Sequence, residues 1–148
     1  MNTRTNELTP LPNLQLIISA LNDEACSRLL KILPMRDVEV LRGPESGLVM
    51  MSAEDAFETP FHLGEVLVTE AEILWRGFRG YAMVLGDTPQ RALAAAVADA
   101  VVQAETPATA PDLYRFLTAH RLKQERSRRR ERVMVAATQV RFETMPAG

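Results

Sequence analysis

Glu70 and Glu72, in the stretch "TEAEILWRGFRGYAMVLGD" (residues 69–87), are the side chains of this sequence best placed for acid–base chemistry. Next-but-one positions on a strand share a face and lie roughly 7 Å apart, a separation at which paired carboxylates act on glycosidic bonds. The same spacing describes one wet side of a sheet, where each carboxylate is solvated, paired with an arginine or held against a second subunit. Glu65 is a third carboxylate in the same region. Two readings therefore stand side by side: a stand-alone hydrolase built on Glu70 and Glu72, and a carboxylate-bearing surface.

Other chemistries lack their residues. A lone Cys26 cannot supply a thiolate cluster or an internal disulfide, and His62 and His120 are isolated in the chain, so no metal site is expected. Cys26 sits in an apolar helical stretch that offers no activating base, which makes it a small core side chain rather than a nucleophile. No P-loop, Gly-x-Gly-x-x-Gly fingerprint or Gly-x-Ser-x-Gly elbow occurs, and a self-contained nucleotide-binding domain is not expected.

The remaining chemistry is charge. Residues 1–110 carry 8 Lys+Arg against 15 Asp+Glu, while residues 111–148 carry 9 against 4, so an acidic body bears a basic C-terminal arm. The arm contains "RLKQERSRRRER" (Arg121–Arg132), a helix-compatible run with almost no apolar stripe, and such helices are solvated, internally paired or docked on another molecule. Arg126, Arg129 and Arg130 are placed to meet an acidic subunit surface or the anionic groups of a triphosphate through bidentate contacts. A nucleic-acid-binding regulatory module is the alternative. Against it stand the absence of aromatic residues for base stacking and the acidic body, so nucleic acid is not the expected partner.

The elements that must position these residues follow from periodicity. "NLQLIISALNDEACSRLLKIL" reads as two helices broken near Asn22 or Asp23, either of which caps the second, and Pro34 stops it. "DVEVLRGPESGLVMMSA" reads as two short strands joined by a hairpin connection over Gly43–Gly47. Phe61–Trp75 and Gly80–Leu85 read as strands joined by a type II′ turn with Gly77 and Phe78 at its centre, which pairs Trp75 with Gly80, Ile73 with Ala82 and Ala71 with Val84. That face is wholly apolar and demands a helix over it. The other face carries Leu74, Glu72, Glu70, Tyr81, Met83 and Leu85, a mixture suited to cover by another chain. Thr88 as N-cap and Pro89 at the first helical position open an Ala-rich helix, in which Asp99 is expected at the surface beside Gln103. A last helix runs from about Asp112 to the Ala136 region, and "TQVRFETM" adds an edge strand.

The expected fold class is therefore α+β: a mostly antiparallel sheet of about four strands, an N-terminal helix pair, an Ala-rich helix packed on the sheet and a long basic C-terminal helix. At 148 residues and 47% hydrophobic content the chain supports one domain, taken as 13–148 after a flexible tail, 1–12. No apolar run approaches the roughly 18 residues of a membrane span, and the polar start lacks the apolar core of a secretory signal, so a cytoplasmic location is expected.

Taken together, "HLGEVLVTEAEILWRGFRGYAMVLGDTPQRALAAAVADAVV", "RGPESGLVMM" before it and the basic helix after it resemble the G-subunit (PhnG) family of the bacterial carbon-phosphorus lyase system. The resemblance is most specific over Gly64–Asp99. It implies a subunit of a core complex with the I, H and J subunits that, with I, H and L, displaces adenine from MgATP by a phosphonate to form a ribose 1-phosphonate 5-triphosphate. It further implies that the catalytic centre lies in the I subunit, that this chain binds no cofactor alone, and that MgATP is a substrate of the complex. No catalytic residue is carried over from the family. Trp75, Phe78, Tyr81 and Met83, near one hairpin end, are the candidates for a subunit interface.

Overall fold

The computed structural model describes residues 14–55 and 57–138. The expected N-terminal tail and, Thr138 apart, the expected edge strand in "TQVRFETM" lie outside the described residues. Within them the fold is α+β, in the order α1 (Leu14–Ser19), α2 (Asp23–Ile32), β1 (Val38–Glu54), β2 (Pro60–Trp75), β3 (Phe78–Leu85), α3 (Pro89–Ala104) and α4 (Pro111–Ala137). The three strands form one antiparallel sheet in the order β1-β2-β3.

α3 is the centre of the molecule. Ala92, Ala94, Ala95, Ala96, Val97, Ala98, Ala100 and Val101 are all buried, which leaves the helix apolar almost all round, as a helix enclosed on every side must be. The sheet lies beneath it, presenting Ala71, Ile73 and Trp75 from β2 with Ala82 and Val84 from β3. Above it α1, α2 and the first half of α4 contribute Ile18, Leu29, Leu113 and Leu117 to the same core. Alanine lets the helix axis approach the sheet closely at little side-chain entropy cost.

Local signals explain the ends. Asn22 Oδ1 accepts the Ala25 N–H at 2.8 Å and caps α2. Thr88 and Pro89 occupy the expected first positions of α3, but the Thr88 hydroxyl makes no capping bond. Its N–H instead donates to Thr69 Oγ1 at 3.0 Å, and that fully buried hydroxyl donates to Gly86 O at 2.6 Å. Thr69 thus ties the β3–α3 turn to the middle of the sheet.

Two details of the sheet differ from the sequence reading. First, Gly43–Gly47 is not a hairpin connection. β1 runs through it as one 17-residue strand, with register shifts between Val40 and Arg42 and between Arg42 and Glu45, so among the described residues three strands stand where about four were expected. β1 is an edge strand, where a proline and local bulges are tolerated because no ladder bond is lost on the outer side. Second, the β2–β3 turn is centred on Arg76 and Gly77, with φ of 49° and 84°, the type I′ arrangement. Trp75 pairs with Phe78, Ile73 with Gly80 and Ala71 with Ala82, a register two residues from the expected one. A shift of two keeps every side chain on its face, so alternation could not distinguish the two registers.

The outer edge of β3 is closed by side chains. Asp99 Oδ2 accepts the Tyr81 N–H at 3.1 Å and the Gln103 amide at 3.1 Å, and Gln103 Nε2 also donates to Arg79 O at 2.9 Å. Gln15 donates to Tyr81 O at 3.2 Å and accepts from Met83 N at 3.3 Å. Asp99 does lie beside Gln103, and its further role is to occupy a free strand edge that would otherwise invite pairing.

Candidate functional surfaces

The sheet face turned away from α3 holds the two carboxylates. Glu70 accepts from Arg42 Nη1 at 2.9 Å through one oxygen and from the Tyr81 hydroxyl at 3.0 Å through the other. Glu72 pairs with Arg79 across the β2–β3 ladder. Burial first, then the bond and charge of Glu70, push the Tyr81 phenol above its usual range, so it remains a donor. The structure thus brings Glu70 and Glu72 onto one face, each with an arginine. Exposed pairs of this kind contribute little stability, about 0–1 kcal/mol each, and serve better to set the charge pattern of a surface.

Of the residues expected at a subunit contact, Phe78, Tyr81 and Met83 lie exposed at 40%, 39% and 37%. Trp75 does not join them. It projects into the core at 2% exposure, and the Arg76 guanidinium lies over its ring, 4.6 Å from the centroid. The parity that puts Glu72 outside puts Trp75 inside.

A larger apolar surface lies where β1 and β2 run on beyond the body as a two-stranded arm. From Gly47 to Glu54 and from Pro60 to Leu67 no residue is buried. Leu48, Met50 and Leu63 are each more than half exposed. At the tip the Asp55 carboxylate accepts the N–H groups of Phe57 and Thr59 at 2.8 and 2.9 Å, holding a turn that displays Phe57 at 88% exposure. His62 sits on the arm and bonds Ser52 at 2.9 Å. A hairpin with no third strand or helix against it is marginal in water, and its long apolar edge is a template for another chain. The sequence reading missed this arm. Its signal was the Met- and Leu-bearing runs "GLVMMSA" and "FHLGEVLV", apolar on both faces of strands that had no helix assigned to cover them.

α4 leaves the body after Gln124, whose amide donates to Ile17 O at 2.8 Å, and every residue from Glu125 to Thr138 is exposed. Arg126, Arg129 and Arg130 share one stripe with Val133 and Met134 and line a shallow depression. Arg121 pairs with Glu125 at 3.0 Å, whereas Arg126, Arg129 and Arg130 form no ion pair among the described residues. The helix therefore offers free guanidinium groups beside exposed apolar side chains, the composition of a docking surface.

Among the described residues no three His, Cys, Asp or Glu side chains gather as metal ligands would, and no helix is long and apolar enough to cross a membrane. Cys26 is buried on α2, and burial pushes its thiol above the ordinary range.

A family model described as "Phosphonate metabolism protein PhnG" matches residues 13–148. The chain belongs to the PhnG family. A curated relative from Rhizobium meliloti (strain 1021), the alpha-D-ribose 1-methylphosphonate 5-triphosphate synthase subunit PhnG, is 37% identical over 114 residues, covering 76% of this chain and 72% of the relative. This PhnG-family chain carries the open sheet face, the arm and the basic helix as surfaces that its described residues leave exposed.

Proposed function

We propose that this chain is an accessory subunit of an alpha-D-ribose 1-methylphosphonate 5-triphosphate synthase, working with I, H and L subunits to displace adenine from MgATP by a phosphonate. In this reading it assembles with I, H and J subunits in the cytoplasm, and the catalytic centre lies in the I subunit. The observation that carries the proposal is the arm: a PhnG-family fold whose longest hairpin exposes Leu48, Met50, Leu63 and Phe57 has a surface made to be covered. The free arginines of α4 and the Tyr81–Met83 face supply further contacts to an acidic or mixed partner surface.

The chemistry is consistent with a helper. Displacement at the anomeric carbon of ribose develops positive charge at the sugar and needs a proton donor to the leaving base and cations at the triphosphate. Here Glu70 and Glu72 are already engaged by Arg42, Tyr81 and Arg79. Arg126, Arg129 and Arg130 are suited to the triphosphate or to an acidic partner, but they do not converge with the carboxylates on one element.

The test is reconstitution. Adenine release from ATP and methylphosphonate is measured with I, H and L subunits, with and without this chain, and the expected outcome is loss of turnover on omission. Undiminished adenine release without it overturns the proposal, as would turnover by this chain alone.

A further inference from the structure

A cleft of about 390 Å³ lies between the α1–α2 junction and the middle of α4, away from the surfaces described above. Arg28 from α2 and His120 and Lys123 from α4 line it, together with Asn22, Gln124 and Ser127, and among the described residues no carboxylate does. α1, with the sequence LQLIIS, brings no titratable group to it. Glu24, one turn before Arg28, forms no ion pair with it, and Asp23 is committed to Arg91 at 2.9 Å. Neither Arg28 nor Lys123 has an acidic partner within ion-pair distance among the described residues.

Three basic side chains from two elements thus converge on a concave site where no described carboxylate balances them. The effect registers on His120. Burial depresses its imidazole pKa first, and the charges of Arg28 and Lys123 depress it further. Its ring lies against Phe116, centroids 4.4 Å apart and planes tilted by 41°. Like charges so gathered cost stability unless an anion joins them.

We propose that this cleft binds a phosphoryl-type oxyanion, with Arg28 and Lys123 as its permanent cations and His120 as a donor that becomes positive when the anion is bound. The Asn22 amide adds a neutral donor, since its carbonyl oxygen is already spent on capping α2. The volume leaves room for linked phosphoryl groups rather than one small ion. The site uses a different stripe of α4 from Arg126, Arg129 and Arg130, and the inference does not depend on the subunit reading.

The full chain has two histidines, so imidazole proton spectra give His120 an internal reference in His62 on the arm. Sodium sulfate, a dianion throughout the range, is titrated against sodium chloride at constant ionic strength. The expected result is a rise in the His120 pKa of at least about half a unit with His62 unmoved, and calorimetric affinity at least about 1.5-fold tighter near pH 5.5 than near pH 8. Arg28→Gln and Lys123→Gln, both at exposed positions, each weaken binding at least about fivefold, while Arg115→Gln removes one charge elsewhere on α4 without effect. Inorganic pyrophosphate binding about tenfold more tightly than sulfate assigns linked phosphoryl groups, and equal affinity assigns a single one. A His120 response no larger than that of His62, or sulfate binding indifferent to both Arg28→Gln and Lys123→Gln, overturns the proposal.

Discussion

A side-chain carbon placed on Gly80 would lie 1.9 Å from the carbonyl oxygen of Ala96. The obstacle is helix backbone, so it cannot turn aside as a side chain would. Gly80 on β3 and the alanines of α3 are therefore one feature, the contact that lets the central helix lie close against the sheet. Gly80→Ala is expected to cost about 2–3 kcal/mol, by forcing α3 away from the sheet, and urea denaturation of the isolated chain measures it.

Asp99 protects an edge as well as filling a helix position. Asp99→Ala frees the Tyr81 N–H and one hydrogen of Gln103, with an expected loss of about 1–2 kcal/mol. Faster light-scattering growth on heating is the second expected effect, because the β3 edge is then open to pairing.

His120 makes stability depend on pH. Its folded pKa lies below the ordinary 6.5, so between the two values the unfolded chain binds more protons. The associated stability is present above about pH 6.5 and is lost as pH falls through the folded value. Thermal melting of His120→Gln between about pH 7.5 and pH 5 is expected to decline less steeply than that of the parent chain.

On the arm, Leu63→Lys separates folding from assembly. Leu63 is 59% exposed, so the substitution is expected to change the stability of the isolated chain by no more than about 0.5 kcal/mol. Co-purification with partner subunits is expected to be lost, because a lysine would be buried in the contact. Intact co-purification of a folded Leu63→Lys chain would remove the arm from the interface.

Glu70→Gln tests the carboxylates. It keeps an acceptor for the Tyr81 hydroxyl and discards the charge facing Arg42. Turnover of the reconstituted complex is expected to fall less than about tenfold, whereas removal of a general acid or base costs about a hundredfold or more. A loss of the latter size would place Glu70 in the chemistry.

Most helices are legible from periodicity because each has one dominant local cause: Asn22 caps α2, Pro34 follows its end, and Pro89 and Pro111 open α3 and α4. The division of the β2–β3 hairpin into a helix-covered face and an open one is equally local, since strand alternation assigns each residue to a side. What alternation cannot give is register or strand continuity. The β2–β3 pairing follows from the turn falling at Arg76 and Gly77 rather than one residue later, and in the folded chain Gly80 lies under Ala96, a contact between residues on different elements. Gly43 and Pro44 look like a turn in isolation and are absorbed as irregularities because β1 happens to lie at the sheet edge.

The same holds for the surfaces. Residue types alone determined the acidic body, the arginine-rich helix and the shared face of Glu70 and Glu72. Only the tertiary structure decided that Trp75 is core, that the described residues leave the apolar arm exposed, and that Arg28 faces His120 and Lys123 from another helix. The physical reason is range: alternation and capping act within a few residues, whereas burial and charge convergence depend on which distant segments the packed core brings together.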